Sequence, residues 1–272
     1  MGLKFCSFAS GSTGNCYLLK TENTNLLVDV GIAGKRIIGG LDSCAIKPEQ
    51  IDGILVTHEH TDHIKSLRMM AKKAVNGKIY TSEGTAYSVN EKIPMLADRI
   101  CVKDSSFKVG DLEIEPFSLS HDAEDPIGFS VQSGGRRVTI ITDTGVATKQ
   151  MLSTAAKSDL LVLEANHEVN ILHCSSYPYE LKRRILSDHG HLSNDAAGEF
   201  IYEVEMLRRN GDEESKPEKQ KILLAHLSKE NNSPMQAMLT IKNRLFEEDM
   251  IAGEDYLMNA LSADASTRLL EI

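Results

Sequence analysis

The chain has 272 residues, 41% apolar and 25% charged, with a net charge of −9. That balance fits a globular protein able to bury a substantial core, in one large domain or two small ones, and argues against a surface built throughout for nucleic acid while leaving room for a local basic groove. Five widely spaced cysteines without a CxxC pair argue against a disulfide framework, and no apolar run reaches membrane-spanning length, so a reducing, cytoplasmic location is expected.

In chain order, Lys4–Phe8 and Cys16–Thr21 read as short strands around the tight polar loop Ser10-Gly11-Ser12-Thr13-Gly14-Asn15, and Leu26–Val30 as a third strand. Ile51–Thr57 is a strand that runs into His58-Glu59-His60-Thr61-Asp62-His63. Thr61 or Asp62 can cap a following helix in which Ile64, Leu67, Met70 or Ala71, and Ala74 recur at helical spacing. Leu112, Ile114 and Pro116 alternate as in a half-buried strand. Phe129–Ser133 and Arg136–Asp143 form an expected hairpin through Gly134-Gly135. Leu160–Glu164 is a buried-type strand. Ser193–Asp195 can cap a helix whose stripe is Ala197, Phe200, Ile201 and Val204. Asn210–Gln220 reads as an exposed charged loop, Lys221–His226 as a strand, Pro234–Phe246 as a helix, and short strands close the chain.

One pattern joins these pieces. Apolar strands end in His58 and His60, in His121, in Asp143, in Glu164 and in His226. Laid side by side, such strand ends converge chemistry-bearing groups in a cleft. Imidazoles and carboxylates are the donors for a borderline divalent metal, and such a metal with an open position makes hydroxide at neutral pH. His58 and His60 are expected at one ion and Asp62 and His63 at a second. His121, Asp143 and His226 complete the set, Asp143 being the type of ligand that bridges. Asp29 reads either as the carboxylate that orients a ligating imidazole or as an ordinary turn residue. His191, in His189-Gly190-His191, can pair with Glu164 and hold a proton for a leaving group, whereas His189 reads as a surface histidine. The Ser10–Asn15 loop is a plain turn or, through Ser10, Ser12 and Asn15, a phosphate cradle. Lys65, Arg68, Lys72 and Lys73, and the knot Lys182-Arg183-Arg184, are solvated faces or a phosphate track.

The HxHxDH signature at His58–His63, with Ser120-His121, Thr142-Asp143 and Ala225-His226, resembles the metallo-β-lactamase fold superfamily over nearly the whole chain. Ser10–Asn15, Leu163-Glu164-Ala165-Asn166-His167, Gly190–Asn194 and Ala225–Ser228 through Asn231-Asn232 resemble its WalJ/YycJ (VicX) group, related to tRNase Z. The resemblance implies an α/β fold, a four-layer αββα sandwich, as a single domain over residues 1–272. It implies two divalent ions, zinc or manganese, sharing a hydroxide that attacks a phosphodiester. It also implies 5′-to-3′ DNA exonuclease activity on a nucleic-acid partner. Asp62 would hold the hydroxide, and Glu164 and His191 would act as the proton-donating pair. The absence of a long arm between Asp143 and His191 favours a minimal-core nuclease. Two other readings stand beside it: a thioesterase or β-lactam hydrolase on the same metal logic, and a non-enzymatic, metal-stabilised regulatory module.

Overall fold

The structure, a computed structural model, describes residues 2–211 and 219–272. Of the expected loop Asn210–Gln220, residues 212–218 lie outside the described residues. The described strands are β1 (Lys4–Ala9), β2 (Cys16–Lys20), β3 (Asn25–Val28), β4 (Gly53–Leu55), β5 (Lys78–Thr81), β6 (Ile100–Val102), β7 (Phe107–Val109), β8 (Leu112–Ser118), β9 (Ile127–Ser133), β10 (Arg136–Ile141), β11 (Leu160–Glu164), β12 (Lys221–Ala225), β13 (Leu257–Ala260) and β14 (Leu270–Glu271). They make two mixed sheets of seven strands, flanked by helices. The chain divides into two compact units. One comprises Met1–Ser118, Ala123–Arg136 and Ser262–Ile272; the other comprises Leu119–Asp122 and Arg137–Leu261.

In the first unit the sheet order is β14-β1-β2-β3-β4-β5-β6. Pairing is antiparallel from β14 to β3 and parallel from β3 to β6. Val28 of β3 stands opposite Leu55 of β4, so the residues after both strands leave at the same edge. Phe8, Leu18, Leu27, Ile37, Ile54, Leu67, Met70 and Val89 share one buried cluster behind that edge. Each such side chain contributes about 1.5–3 kcal/mol when fully buried. The meander β7-β8-β9 belongs to this unit and is antiparallel. Gly134 and Gly135 follow β9 with φ of +58° and +76°, the left-handed pair that a two-residue hairpin turn needs.

The expected single helix after the histidine cluster is two, Thr61–Ile64 and Leu67–Lys73. The break falls at Ser66, whose N–H donates to Val30 O and whose hydroxyl donates to Ile32 O at 2.6 Å. A tertiary carbonyl has captured the N–H that helical periodicity assigns to the helix. The helices Gly34–Ser43, Glu83–Lys92 and Lys149–Ala156 are additions to the expected elements.

In the second unit β10, β11, β12 and β13 pair in parallel. Ile141 stands opposite Leu163, and Glu164 opposite Ala225. The carboxyl ends of three strands therefore lie level, with Glu164 closing β11 and Asp143 and His226 just beyond β10 and β12 at the same edge. The helix Asn194–Asn210 begins where expected, with the Ser193 hydroxyl accepting from Ala196 N–H. Ala197, Phe200, Ile201 and Val204 are all buried. This helix packs on Pro234–Phe246, where a Cβ on Gly198 would stand 3.1 Å from the Arg244 side chain.

Candidate metal centre

In the first unit the donors sit on the turn after β4. His58 and His63 are completely buried, and His60 and Asp62 are partly exposed. The His58 ring lies 4.7 Å from that of His60 and 4.0 Å from that of His63, centroid to centroid. Asp62 Oδ2 is 3.5 Å from His63 Nε2, so this carboxylate and this imidazole face a common point.

Behind them stands Asp29, the residue after β3, fully buried and left-handed at φ +55°. Its Oδ2 accepts from His63 Nδ1–H at 2.7 Å, and its Oδ1 accepts from Thr57 N–H at 2.9 Å. Thr57 Oγ1 donates to Asp29 and lies 3.1 Å from His58 Nδ1. With Nδ1 engaged in this way, both imidazoles present Nε2 as the lone pair, the arrangement a carboxylate behind a ligating histidine produces. Asp29 thus has the orienting geometry, and Thr57 is a partner that sequence reasoning missed.

The Ser10–Asn15 loop supports this turn. Asn15 is fully buried; its Oδ1 accepts from Gly11 N–H at 3.1 Å and its Nδ2 lies 3.2 Å from His63 Nε2. Asn15 N–H donates to Asp62 O. The Ser10 hydroxyl is 2.7 Å from Tyr17 OH, while Ser12 is exposed. Gly31 closes the packing: a Cβ there would stand 1.5 Å from Asp62 O. Lys65, Arg68, Lys72 and Lys73 are all exposed.

In the second unit Glu164 is the hub. It is fully buried at the end of β11. Oε1 accepts from His191 Nδ1–H and from His226 Nδ1–H, both at 2.8 Å, and Oε2 accepts from Thr144 N–H at 3.0 Å and Leu192 N–H at 3.1 Å. Burial opposes ionisation, but the charge and hydrogen bond of His191 and the hydrogen bond of His226 outweigh it and bring this carboxyl down to about 2. The expected Glu164–His191 pair is present, and the same oxygen also holds His226. That second contact was invisible in the sequence, because it depends on the β11–β12 register.

Donor atoms of Asp143, Glu164, His191 and His226 lie within 4.8 Å of one another. Glu164 has all its acceptor positions engaged by N–H groups, so we read it as the group that aims the others and not as a ligand. Asp143, left-handed at φ +64°, places Oδ1 3.8 Å from His121 Nε2. His121 Nδ1–H donates to Gly190 O at 3.0 Å, so it too presents Nε2. Burial lowers its pKa and favours the neutral, ligating form. Gly190 is required here, since a Cβ would stand 2.2 Å from Ile185 O. His189 is exposed, its Nδ1 3.2 Å from the Ser120 hydroxyl. Imidazoles with Nδ1 anchored, together with a buried carboxylate, are a donor set for a divalent cation.

Residues 24–209 match the model of the beta-lactamase superfamily domain. The chain is 37% identical to Exodeoxyribonuclease WalJ of Streptococcus pneumoniae serotype 2, covering 100% of this chain and 99% of that one. The chain belongs to the metallo-β-lactamase superfamily, in its WalJ/YycJ group. Identity to Exodeoxyribonuclease YycJ of Bacillus anthracis is 34%, over 99% of both chains. The crystal structure of the metallo-beta-lactamase fold protein YhfI from Bacillus subtilis superposes with a TM-score of 0.68 at 15% identity, over 98% of this chain and 99% of that one. That likeness shows the fold, the αββα sandwich of the superfamily.

Proposed function

We propose that this WalJ/YycJ-group protein is a metal-dependent phosphodiesterase acting on DNA, a 5′-to-3′ exodeoxyribonuclease. Residues 1–272 would work as one catalytic domain in the cytoplasm, with two divalent ions per chain, zinc or manganese. His58, His60, Asp62, His63, His121, Asp143 and His226 would hold the ions. Divalent cations bound there would supply charge stabilisation to the phosphoryl oxygens and a nucleophile at neutral pH. The full-length likeness to two proteins named exodeoxyribonucleases supports the substrate class.

The observation that carries the reading is the single Glu164 oxygen shared by His191 and His226. It fixes a proton donor beside a candidate ligand in one rigid arrangement. His191, the more exposed of the two, keeps Nε2 for the substrate side. Protonated, it gives its Nε2 proton to the leaving oxygen, while Nδ1–H stays on Glu164. Asp62 accepts a hydrogen bond from the attacking water and aims it. Ser10, Ser12 and Asn15 belong to the proposal as the substrate-binding loop, in which Ser12 is exposed and Ser10 and Asn15 are buried.

The test is digestion of end-labelled single- and double-stranded DNA and RNA with added zinc or manganese, beside His191→Ala. We expect DNA shortened from the 5′ end, and turnover in the variant lower by about 10²–10⁴-fold with metal content retained. Full turnover in the variant, or none by the metal-loaded wild type on any DNA, refutes the reading.

A further inference from the structure

The basic knot Lys182-Arg183-Arg184 is resolved by the structure into three separate tasks. Lys182 Nζ donates to His173 O at 2.7 Å and Ser175 O at 2.8 Å, which ties down the preceding helix end. Arg183 faces solvent, its side chain 65% exposed, with Glu180 3.6 Å away. Arg184 alone of the three turns to the candidate centre. It meets Asp122 through both Nε and Nη2, the latter donating to Oδ1 at 3.0 Å. That Asp122 Oδ1 is 3.3 Å from His121 Nε2, the nitrogen that faces the candidate metal position.

We propose that Arg184 is the residue that grips a phosphate of the substrate, resting on Asp122 until the substrate arrives. The inference rests on the phosphodiester reading above and deepens it. Three observations carry it. First, the pair is half-exposed, with side-chain exposures of 50% for Arg184 and 34% for Asp122. A pair so placed is open to solvent and to a competing anion. Second, the guanidinium already makes a two-pronged contact with a planar oxyanion, and phosphate offers the same two-oxygen geometry with more charge. Third, the surroundings are acidic: Asp122, Asp143 and Glu164 line this half-site in a chain of net charge −9. Beyond the ions proposed there, a polyanionic strand reaching His121 also meets Asp122, and Arg184 is the cation paired with that carboxylate. Leaving Asp122 for phosphate exchanges one charge-assisted contact for another. Phosphate oxygens are the shared chemistry of two sources, the terminal 5′ monoester and an internal diester other than the one cleaved.

The experiment uses the full chain with Arg184→Gln and Arg184→Lys. Binding of single-stranded DNA bearing a 5′-phosphate or a 5′-hydroxyl is measured by anisotropy in chelator, where nothing turns over. The KM and kcat with metal added are measured on the same DNAs and on a small aryl phosphodiester. We expect Arg184→Gln to raise Kd and KM for DNA by roughly ten- to a hundredfold, with Arg184→Lys between, because one charge-assisted contact is lost. The kcat, and activity on the small diester, should stay as in the wild type. A loss confined to 5′-phosphorylated DNA assigns the terminal monoester; an equal loss on 5′-hydroxyl DNA assigns an internal diester. Unchanged Kd and KM for every DNA overturn the proposal, as does an equal fall in kcat on the small diester, which marks a merely structural role through Asp122 and His121. A wild type that binds DNA through Arg184 yet cleaves none would refute the function proposed above and leave this inference standing.

Discussion

Replacing Glu164 with glutamine tests the hub of the second unit with almost no change of shape. Four N–H groups point at this carboxylate: two from imidazoles and two from the backbone of Thr144 and Leu192. An amide offers one oxygen and one NH2. The backbone donors cannot change character, and a buried N–H facing another donor costs about 1–3 kcal/mol, so the amide oxygen must turn to Thr144 and Leu192. The NH2 then faces His191 and His226, and each ring relieves the clash by moving its proton from Nδ1 to Nε2. A His226 protonated at Nε2 has no lone pair for a cation. The apo protein should therefore lose only about 1–2 kcal/mol, the difference between charged and neutral hydrogen bonds. Metal affinity should fall by about ten- to a hundredfold or more, the range for a partner behind a ligating histidine. Urea denaturation in chelator reads the first quantity, competition with a chromogenic chelator the second, and long-range ¹H–¹⁵N spectra of the imidazoles the tautomers. If His226 in the variant keeps its proton on Nδ1 and metal affinity is unchanged, the assignment of Glu164 as the aiming group is wrong.

Gly31→Ala should destabilise the fold by roughly 1–3 kcal/mol or more, because the new Cβ meets Asp62 O, a backbone atom that cannot step aside cheaply; a wild-type urea midpoint would contradict the close approach. His167 is almost fully buried, neither ring nitrogen has a protein partner among the described residues, and burial brings its pKa down to about 4. Since this lies below the free value near 6.5, the unfolded chain takes up the proton first: stability is intact above about pH 6.5 and falls as pH drops towards 4, by about 2 kcal/mol at pH 5. His167→Gln should remove that component, so the two stability-versus-pH curves, measured in chelator, should diverge below pH 6.5; parallel curves would refute the assignment.

The histidine cluster and the strand-to-donor pattern were legible because they are local: continuous apolar runs end in short polar sequences, and parallel strands align those ends. What was not legible depends on register or on tertiary partners. The level alignment of Glu164 with Ala225 makes one carboxylate serve two histidines, and nothing in either strand announces it. Ser66 interrupts a helix because Val30 O takes its N–H. The helix Gly34–Ser43 buries only Ile37, Gly40 and Leu41, and Gly40 is there because the Phe8 ring occupies the space of a side chain. Glu83–Lys92 buries Thr85, Ala86 and Val89, too small and polar a face to stand out by periodicity. Glu59, one of the two unspecified positions inside the signature, accepts from Glu124 N–H at 3.0 Å, a contact 65 residues distant in sequence.

The backbone at the strand ends explains why these donors are fixed before any cation binds. Asp29, Asp143 and His226 all adopt positive φ, a conformation that costs a non-glycine residue about 1–2 kcal/mol, and each lies just beyond a parallel strand. A continuing strand would send the side chain to one face of the sheet or the other; a left-handed step re-aims it along the edge. Each step is held by bonds on its own or adjoining backbone. Asp29 N–H donates to Leu55 O, Thr144 N–H to Glu164, and the Asn166 amide donates to His226 O at 2.9 Å. The strain is thereby carried by the folded scaffold and by its hydrogen bonds, not by the free energy of metal binding. A cation arriving at His226 or beside His63 meets rings already turned with Nε2 outward, so little of its coordination energy is spent on ordering side chains.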